Sequence, residues 1–231
     1  MKVAVVRFPG SNCDLDAVHA LRTVSGVKAD LVWHEDHEVT GYDAVVLPGG
    51  FSFGDYLRAG AIAARSPAIG HITRMADRGV PVLGICNGFQ ILVEAGLLPG
   101  ALLRNTALKF VCRWTNVKVE NTHTPFTRAF RKGQVLRVPI AHSEGRYYLP
   151  EEDMRRLGDQ GRIVFRYCDG RGRVDEASNP TGTLGNIAGV CNEQGNVLGL
   201  MPHPERATEG ILSPTGSSDG RYVFESLLRN D

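Results

Sequence analysis

The chain predicts an α/β fold: a mostly parallel central sheet with helices on both faces and an added antiparallel β portion. Three observations carry this. Through the first hundred residues, short apolar runs alternate with stretches whose apolar residues recur at helical spacing. After Leu98-Pro-Gly100 the texture changes to β-rich runs with few helical periods. No linker-like composition separates the two halves, so residues 1–231 are expected to form one domain.

Taken in order, Lys2 to Phe8 reads as a strand that Pro9-Gly-Ser-Asn12 breaks. Asn12 or Ser11 is expected to cap a helix with Asp14 and Asp16 in its first turn, where negative charge is favoured. That helix should turn Leu15, Val18, His19, Leu21 and Val24 inward and stop near Gly26. Ala29 to Trp33 and Ala44 to Leu47 are further strands, the second ending at Pro48-Gly49-Gly50. A helix follows within Gly60 to Arg78, then a strand from Val82 to Ile85 and another helix. In the second half the strands are Val111 to Val119, Gln134 to Ile140, Arg162 to Tyr167 and Ile187 to Cys191. Val197 to Met201 is expected to close this antiparallel series, and Pro150 to Leu157 to interrupt it as a helix. Glu209 to Gly220, rich in Gly, Ser and Pro, should be a mobile surface segment before a last helix reaching about Arg229. Ligands of parallel sheets gather at the carboxyl ends of strands, where both Pro48-Gly-Gly50 and Cys86 fall.

The most informative stretch is Val82-Leu-Gly84-Ile-Cys86-Asn-Gly88-Phe-Gln90. A thiol with glycine two residues away on either side, between strand and helix, has the pattern of a nucleophile elbow with cysteine in place of serine. The glycines admit neighbouring backbone close to a sharply turned residue. The helix start directs free N–H groups at the sulfur and favours the thiolate, the form that attacks. The alternative is a buried structural cysteine.

A second constellation, Met201-Pro-His203-Pro-Glu205-Arg206, follows another short apolar strand. Proline after His203 biases it to extended backbone, where residues i and i+2 share a side, so His203 and Glu205 can touch. A carboxylate on one ring nitrogen sets the tautomer and steadies the imidazolium formed when the other takes a proton. The alternative is a solvated carboxylate near a surface histidine. Third, the glycines of Pro48-Gly-Gly50-Phe51 allow a backbone N–H to turn inward and meet a developing oxyanion, although double glycines also make plain turns.

Composition excludes several classes. The 26 basic and 25 acidic residues leave a formal charge of +1, so no global field draws nucleic acid or an anionic membrane. No apolar run approaches the roughly 20 residues of a membrane span. Met1-Lys2-Val-Ala-Val-Val-Arg7 is expected to be a first strand, not a signal peptide. Cys13, Cys86, Cys112, Cys168 and Cys191 are odd in number and contain no Cys-x-x-Cys, so neither disulfides nor a metal site is expected. A reducing cytoplasm is the expected location. The four cysteines other than Cys86 should tolerate Ser or Ala with chemistry retained.

Gly84-x-Cys86-x-Gly88-x-Gln90, His203-Pro-Glu205 and the upstream Pro-Gly-Gly resemble the triad (class I) glutamine amidotransferases. More narrowly, four stretches resemble the glutaminase subunits of phosphoribosylformylglycinamidine synthases. These are Arg7-Phe-Pro-Gly-Ser-Asn-Cys-Asp14, Pro48 to Ala61, Ile140-Ala-His142-Ser-Glu144-Gly-Arg-Tyr147 and Asn186 through Arg206. Ser143 departs from the glycine of the family's His-Gly-Glu-Gly stretch.

The resemblance implies the class I glutamine amidotransferase fold, with Cys86, His203 and Glu205 as catalytic residues. Backbone N–H groups of Phe51 or Gly50 and of Asn87 would hold the oxyanion, and Gln90 would contact bound L-glutamine. His142 and Glu144 would line the glutamine pocket or a partner contact, or simply shape their loop. It also implies partners: an ATP-dependent synthetase subunit, with its ATP and magnesium, and a small bridging subunit. The chain has no phosphate loop of its own and needs no cofactor for the glutaminase step. Phe51, Phe53, Tyr56 and Leu57 are candidates for the docking surface or for core. The competing readings are a glutaminase of another pathway, such as histidine, anthranilate or cobyrinate synthesis, and a non-catalytic thiol-bearing scaffold on the same fold.

Overall fold

The computed structural model describes residues 1–24, 26–36 and 41–229. The first apolar runs become β1 (Lys2–Arg7), β2 (Lys28–Trp33), β3 (Ala44–Leu47) and β4 (Val82–Ile85). Between and after them lie α1 (Asp14–Arg22), α2 (Pro67–Asp77) and α3 (Asn87–Glu94). There follow β5 (Ala101–Leu103), β6 (Val111–Val119), β7 (Val135–His142), β8 (Arg146–Tyr148), α4 (Glu151–Asp159) and β9 (Ile163–Cys168). The chain then forms β10 (Ile187–Cys191), β11 (Val197–Leu200) and α5 (Arg221–Glu225). Among the described residues, one sheet has the order β2-β1-β3-β4-β11-β10-β9-β6-β7, and β5 pairs with β8 apart from it.

The sheet is mixed, as expected, and its two parts join at β11. β2, β1, β3, β4 and β11 run parallel, and β11 through β10, β9, β6 and β7 alternate. Val197 to Leu200 does close the antiparallel series, against β10, and its other edge lies parallel to β4 in the middle of the sheet. The physical reason is burial on both faces, the mark of a central strand. Val197-Leu-Gly-Leu is buried at every position, as is Val82-Leu-Gly-Ile beside it. Asn196, in the turn from β10, anchors that placement by donating to the Ala76 and Val80 carbonyls at 2.8 and 3.0 Å.

Gly84 pairs with Gly199 across these two strands, and the missing side chains let α3 approach. A Cβ on Gly199 would lie 2.6 Å from Phe89 Cγ, and one on Gly84 would lie 2.7 Å from the Gly88 carbonyl carbon. Gly88 itself sits on β3: its Cβ would overlap the Leu47 carbonyl oxygen and come within 2.7 Å of that carbon.

Three local expectations need correction. α1 begins after Cys13, with no side-chain cap, and the Ser11 hydroxyl instead accepts from the Phe8 N–H at 3.1 Å. Its inner face is Ala17, Val18, Ala20 and Leu21, with Val24 buried just beyond, while Leu15 is 60% exposed and His19 pairs with Glu209 at 2.8 Å. Alanines allow a helix closer to a sheet than leucine does, so the smaller residues define the contact. The β5–β8 ribbon was not expected, because three-residue strands show no readable period. The 209–220 segment does lie at the surface, with Ile211 93% exposed.

Gly88→Ala is expected to destabilise the fold by about 1–3 kcal/mol through overpacking of α3 on β3. Chemical denaturation of the purified chain checks this, and an unchanged midpoint would contradict the close helix–strand contact.

Candidate functional site

The parallel strands deliver their carboxyl ends to one edge of the sheet. β4 is followed immediately by Cys86, whose φ of 51° and ψ of −103° put it in strained left-handed backbone at the entry of α3. Its N–H donates to the Leu200 carbonyl at 2.8 Å, so the elbow is tied to the end of β11. Three residues past β11 the chain is captured again: the His203 N–H donates to the Pro139 carbonyl at 2.9 Å.

His203 and Glu205 touch as their spacing predicts, with Nδ1 and Oε1 2.6 Å apart and both residues buried. Burial disfavours the imidazolium, but the Glu205 carboxylate and Cys86 outweigh it and hold the His203 pKa well above its ordinary value. Cys86 and His203 line one cavity of about 140 Å³ with Asn12, Cys13, Gly50 and Arg206. The ring's Nε2 and Glu205 Oε2 have no partner although buried. The cavity thus joins a thiol to an imidazole whose other ring nitrogen is bonded to a carboxylate, the components of nucleophilic acyl transfer.

The glycine loop packs against both the imidazole and the elbow. A Cβ on Gly49 would lie 2.7 Å from His203 Cε1, and one on Gly50, where φ is 152°, would lie 2.7 Å from Ser11 Cα. Of the donors expected for an oxyanion, the Phe51 N–H is already occupied by the Gly10 carbonyl at 3.0 Å. Asn87 heads α3, where the first N–H groups have no partner inside the helix. Its side chain stitches loop to elbow: Oδ1 accepts from the Ser52 N–H at 3.1 Å, and Nδ2 donates to Gln90 Oε1 at 3.0 Å.

Gln90 is not placed against the cavity. It is buried, its Nε2 donates to the Glu144 carbonyl at 2.6 Å, and its amide oxygen is taken by Asn87. His142 and Glu144 also lie off the cavity lining. Burial and the nearby His203 push His142 down to about 3, so its ring is neutral, and neither ring nitrogen has a partner. Phe51, Tyr56 and Leu57 are exposed, whereas Phe53 packs edge-on to His34 at 5.4 Å.

Cys13 and Arg206 are cavity residues that the sequence reading did not select. The available signal for Cys13 was its position just after β1, at the same strand-end edge as Cys86. Among the described residues one group has metal-ligand proximity: atoms of Cys13, His203 and Glu205 lie within 4.8 Å of one another. Its imidazole and carboxylate are already bonded to each other. No described helix is long and apolar enough to cross a membrane.

This arrangement of fold and cavity is that of a glutamine amidotransferase. The chain belongs to the CobB/CobQ-like glutamine amidotransferase domain family, whose family model matches residues 1–226. It is 56% identical over 227 residues to the phosphoribosylformylglycinamidine synthase subunit PurQ of Methanosarcina acetivorans, covering 98% of this chain and 97% of that one. The PurQ subunit of Aquifex aeolicus is also 56% identical, over 99% of both chains. Among solved structures, a chain in PurLQS from Thermotoga maritima shares 47% identity with a TM-score of 0.86, over 98% of this chain and 97% of that one.

Asp55 supplies a pH test of the loop. Burial, with Glu144 nearby, pushes its carboxyl up to about 6. A raised carboxyl pKa penalises the folded state above that pH and not below the unfolded value of about 4. Asp55→Asn is therefore expected to raise Tm at pH 8, with the gain shrinking as pH falls from about 6 to about 4. Thermal melts across that range check it; a gain independent of pH would contradict the raised pKa.

Proposed function

We propose that this chain is the glutaminase subunit of a phosphoribosylformylglycinamidine synthase. It hydrolyses L-glutamine to glutamate and ammonia, and the ammonia passes to an ATP-dependent synthetase subunit that makes formylglycinamidine ribonucleotide in de novo purine synthesis. The supporting observation is the cavity that joins Cys86 to His203, in a chain matching PurQ subunits over nearly its full length. Residues 1–231 serve as one glutaminase domain.

The Cys86 thiolate attacks the side-chain amide carbon of glutamine, and the carbonyl oxygen becomes an oxyanion. Backbone N–H groups of Gly50 and Asn87 are the proposed donors to it. The Phe51 N–H could serve only after leaving the Gly10 carbonyl. His203, protonated and held by Glu205, gives its proton to the departing nitrogen, so that ammonia leaves and a γ-glutamyl thioester remains. The neutral imidazole then takes a proton from water, whose oxygen attacks the thioester carbon. Glutamate departs and the thiolate is restored.

ATP and magnesium act on the synthetase, and a small bridging subunit completes the proposed assembly. Exposed Phe51, Tyr56 and Leu57, near the cavity through Phe51, are proposed to meet the synthetase, where docking would couple ammonia release to demand.

In the reconstituted complex, Cys86→Ala is expected to lower glutamine-dependent synthesis by about 10³-fold or more. Synthesis from added ammonium should persist within about twofold, because the acceptor chemistry lies on another subunit. A parallel loss of both activities would make Cys86 structural and end this reading. Full activity with the synthetase of another pathway, and none with this one, would reassign the acceptor.

A further inference from the structure

A second thiol lies against the catalytic imidazole. After β1 the chain crosses the end of β3: Ser11 forms a lone antiparallel bridge with Gly50, and the Cys13 N–H donates to the Gly49 carbonyl at 3.2 Å. This crossing brings Cys13 to His203. A Cβ on Gly49 would lie 3.1 Å from Cys13 Sγ and 3.2 Å from His203 Nδ1, so glycine is what allows the two to meet. Cys13 Sγ, a ring nitrogen of His203 and a carboxylate oxygen of Glu205 fall within 4.8 Å of one another, and all three residues are about 2% exposed.

The polar accounting leaves a place for this thiol. Glu205 uses Oε1 for the imidazole, and its Oε2 is buried without a partner. The Cys13 thiol donates to Asn12 Oδ1 at 3.1 Å, and rotation about its Cβ–Sγ bond redirects the S–H with the sulfur in place. Burial pushes the Cys13 thiol up, so it keeps its proton and remains a donor instead of a rival nucleophile. The helix that Cys13 opens is fastened to the same turn. Asp16 pairs with Arg206 at 3.1 Å, His19 with Glu209 at 2.8 Å, and Asp14 with Arg7 behind them.

We propose that Cys13 is a positioning residue for catalysis, its thiol closing one side of the imidazole and donating to the Glu205 carboxylate to keep ring and carboxylate aligned. This reverses the sequence expectation that Cys13 is dispensable, and it rests on the glutaminase reading above. Acting through His203, Cys13 affects proton transfer and not glutamine binding.

The test uses Cys13→Ala and Cys13→Ser in the reconstituted complex, with glutamine and with ammonium as nitrogen sources. Loss of a hydrogen bond to a charged group predicts that Cys13→Ala lowers kcat for glutamine about tenfold or more. KM for glutamine and ammonium-supported synthesis should stay within about twofold. Cys13→Ser, which keeps a donor, should recover kcat to within about threefold of the unsubstituted chain. The proposal is overturned if Cys13→Ala leaves kcat within about twofold, or if the Ser variant is as slow as the Ala variant. It is also overturned if ammonium-supported synthesis falls in parallel, since the residue then merely holds the fold. Failure of the underlying glutaminase reading shows separately, as glutamine-dependent synthesis that survives Cys86→Ala.

Discussion

The parallel pairing of β4 with β11 is the constraint from which the site follows. In that register Ile85 lies beside Leu200, so the residues that leave the two strands, Cys86 and the 201–203 turn, emerge side by side. The Cys86 N–H bond to the Leu200 carbonyl is the last rung of the ladder and the first contact of the site. A slip of one residue would reverse every side chain on β11 and carry His203 away from the sulfur. Register is held by burial on both faces and by the Gly84–Gly199 pair, over which α3 settles with Phe89 against the glycine. The helix start is thereby brought down onto the strand ends, and the strained elbow is held by packing that over-determines it.

On this scaffold the site keeps groups that a purely structural core would not. Buried histidine and glutamate cost desolvation, which their mutual attraction repays only with good geometry and further hydrogen bonds. His203 and Glu205 have the short contact, yet Nε2 and Oε2 remain without partners. Such incompleteness is a typical exchange of stability for function. His142 shows the opposite outcome for the same residue type. Packed on Gly145 with no carboxylate at its ring, it is driven neutral, while His203 retains its proton-carrying range. The difference lies in the partner and not in the depth of burial.

The segment from Gly49 to Leu57 links the cavity to the exterior. Its inner end abuts the imidazole, its middle is stitched to Asn87, and its outer end exposes Tyr56 and Leu57. Phe53, Asp55 and Leu57 all adopt left-handed backbone, a concentration of strain in residues that lack glycine's freedom.

Much of this protein was legible without coordinates. The apolar runs are the central strands because continuous burial requires continuous hydrophobicity, and Gly84-x-Cys86-x-Gly88 and His203-Pro-Glu205 are local patterns whose spacing already fixes their short-range geometry. What periodicity cannot contain is which distant segment lies alongside which. The insertion of β11 beside β4, the pairing of two three-residue strands, the capture of the Phe51 N–H by Gly10 and the inward turning of Gln90 are all settled by long-range contacts. Cys13 is the sharpest instance. By sequence it is one of four thiols expected to be dispensable, and only the crossing of the Pro9–Asn12 loop over the end of β3 sets its sulfur against His203. Local chemistry named the candidate groups; chain topology chose their neighbours, because a neighbour 190 residues away leaves no mark on local spacing.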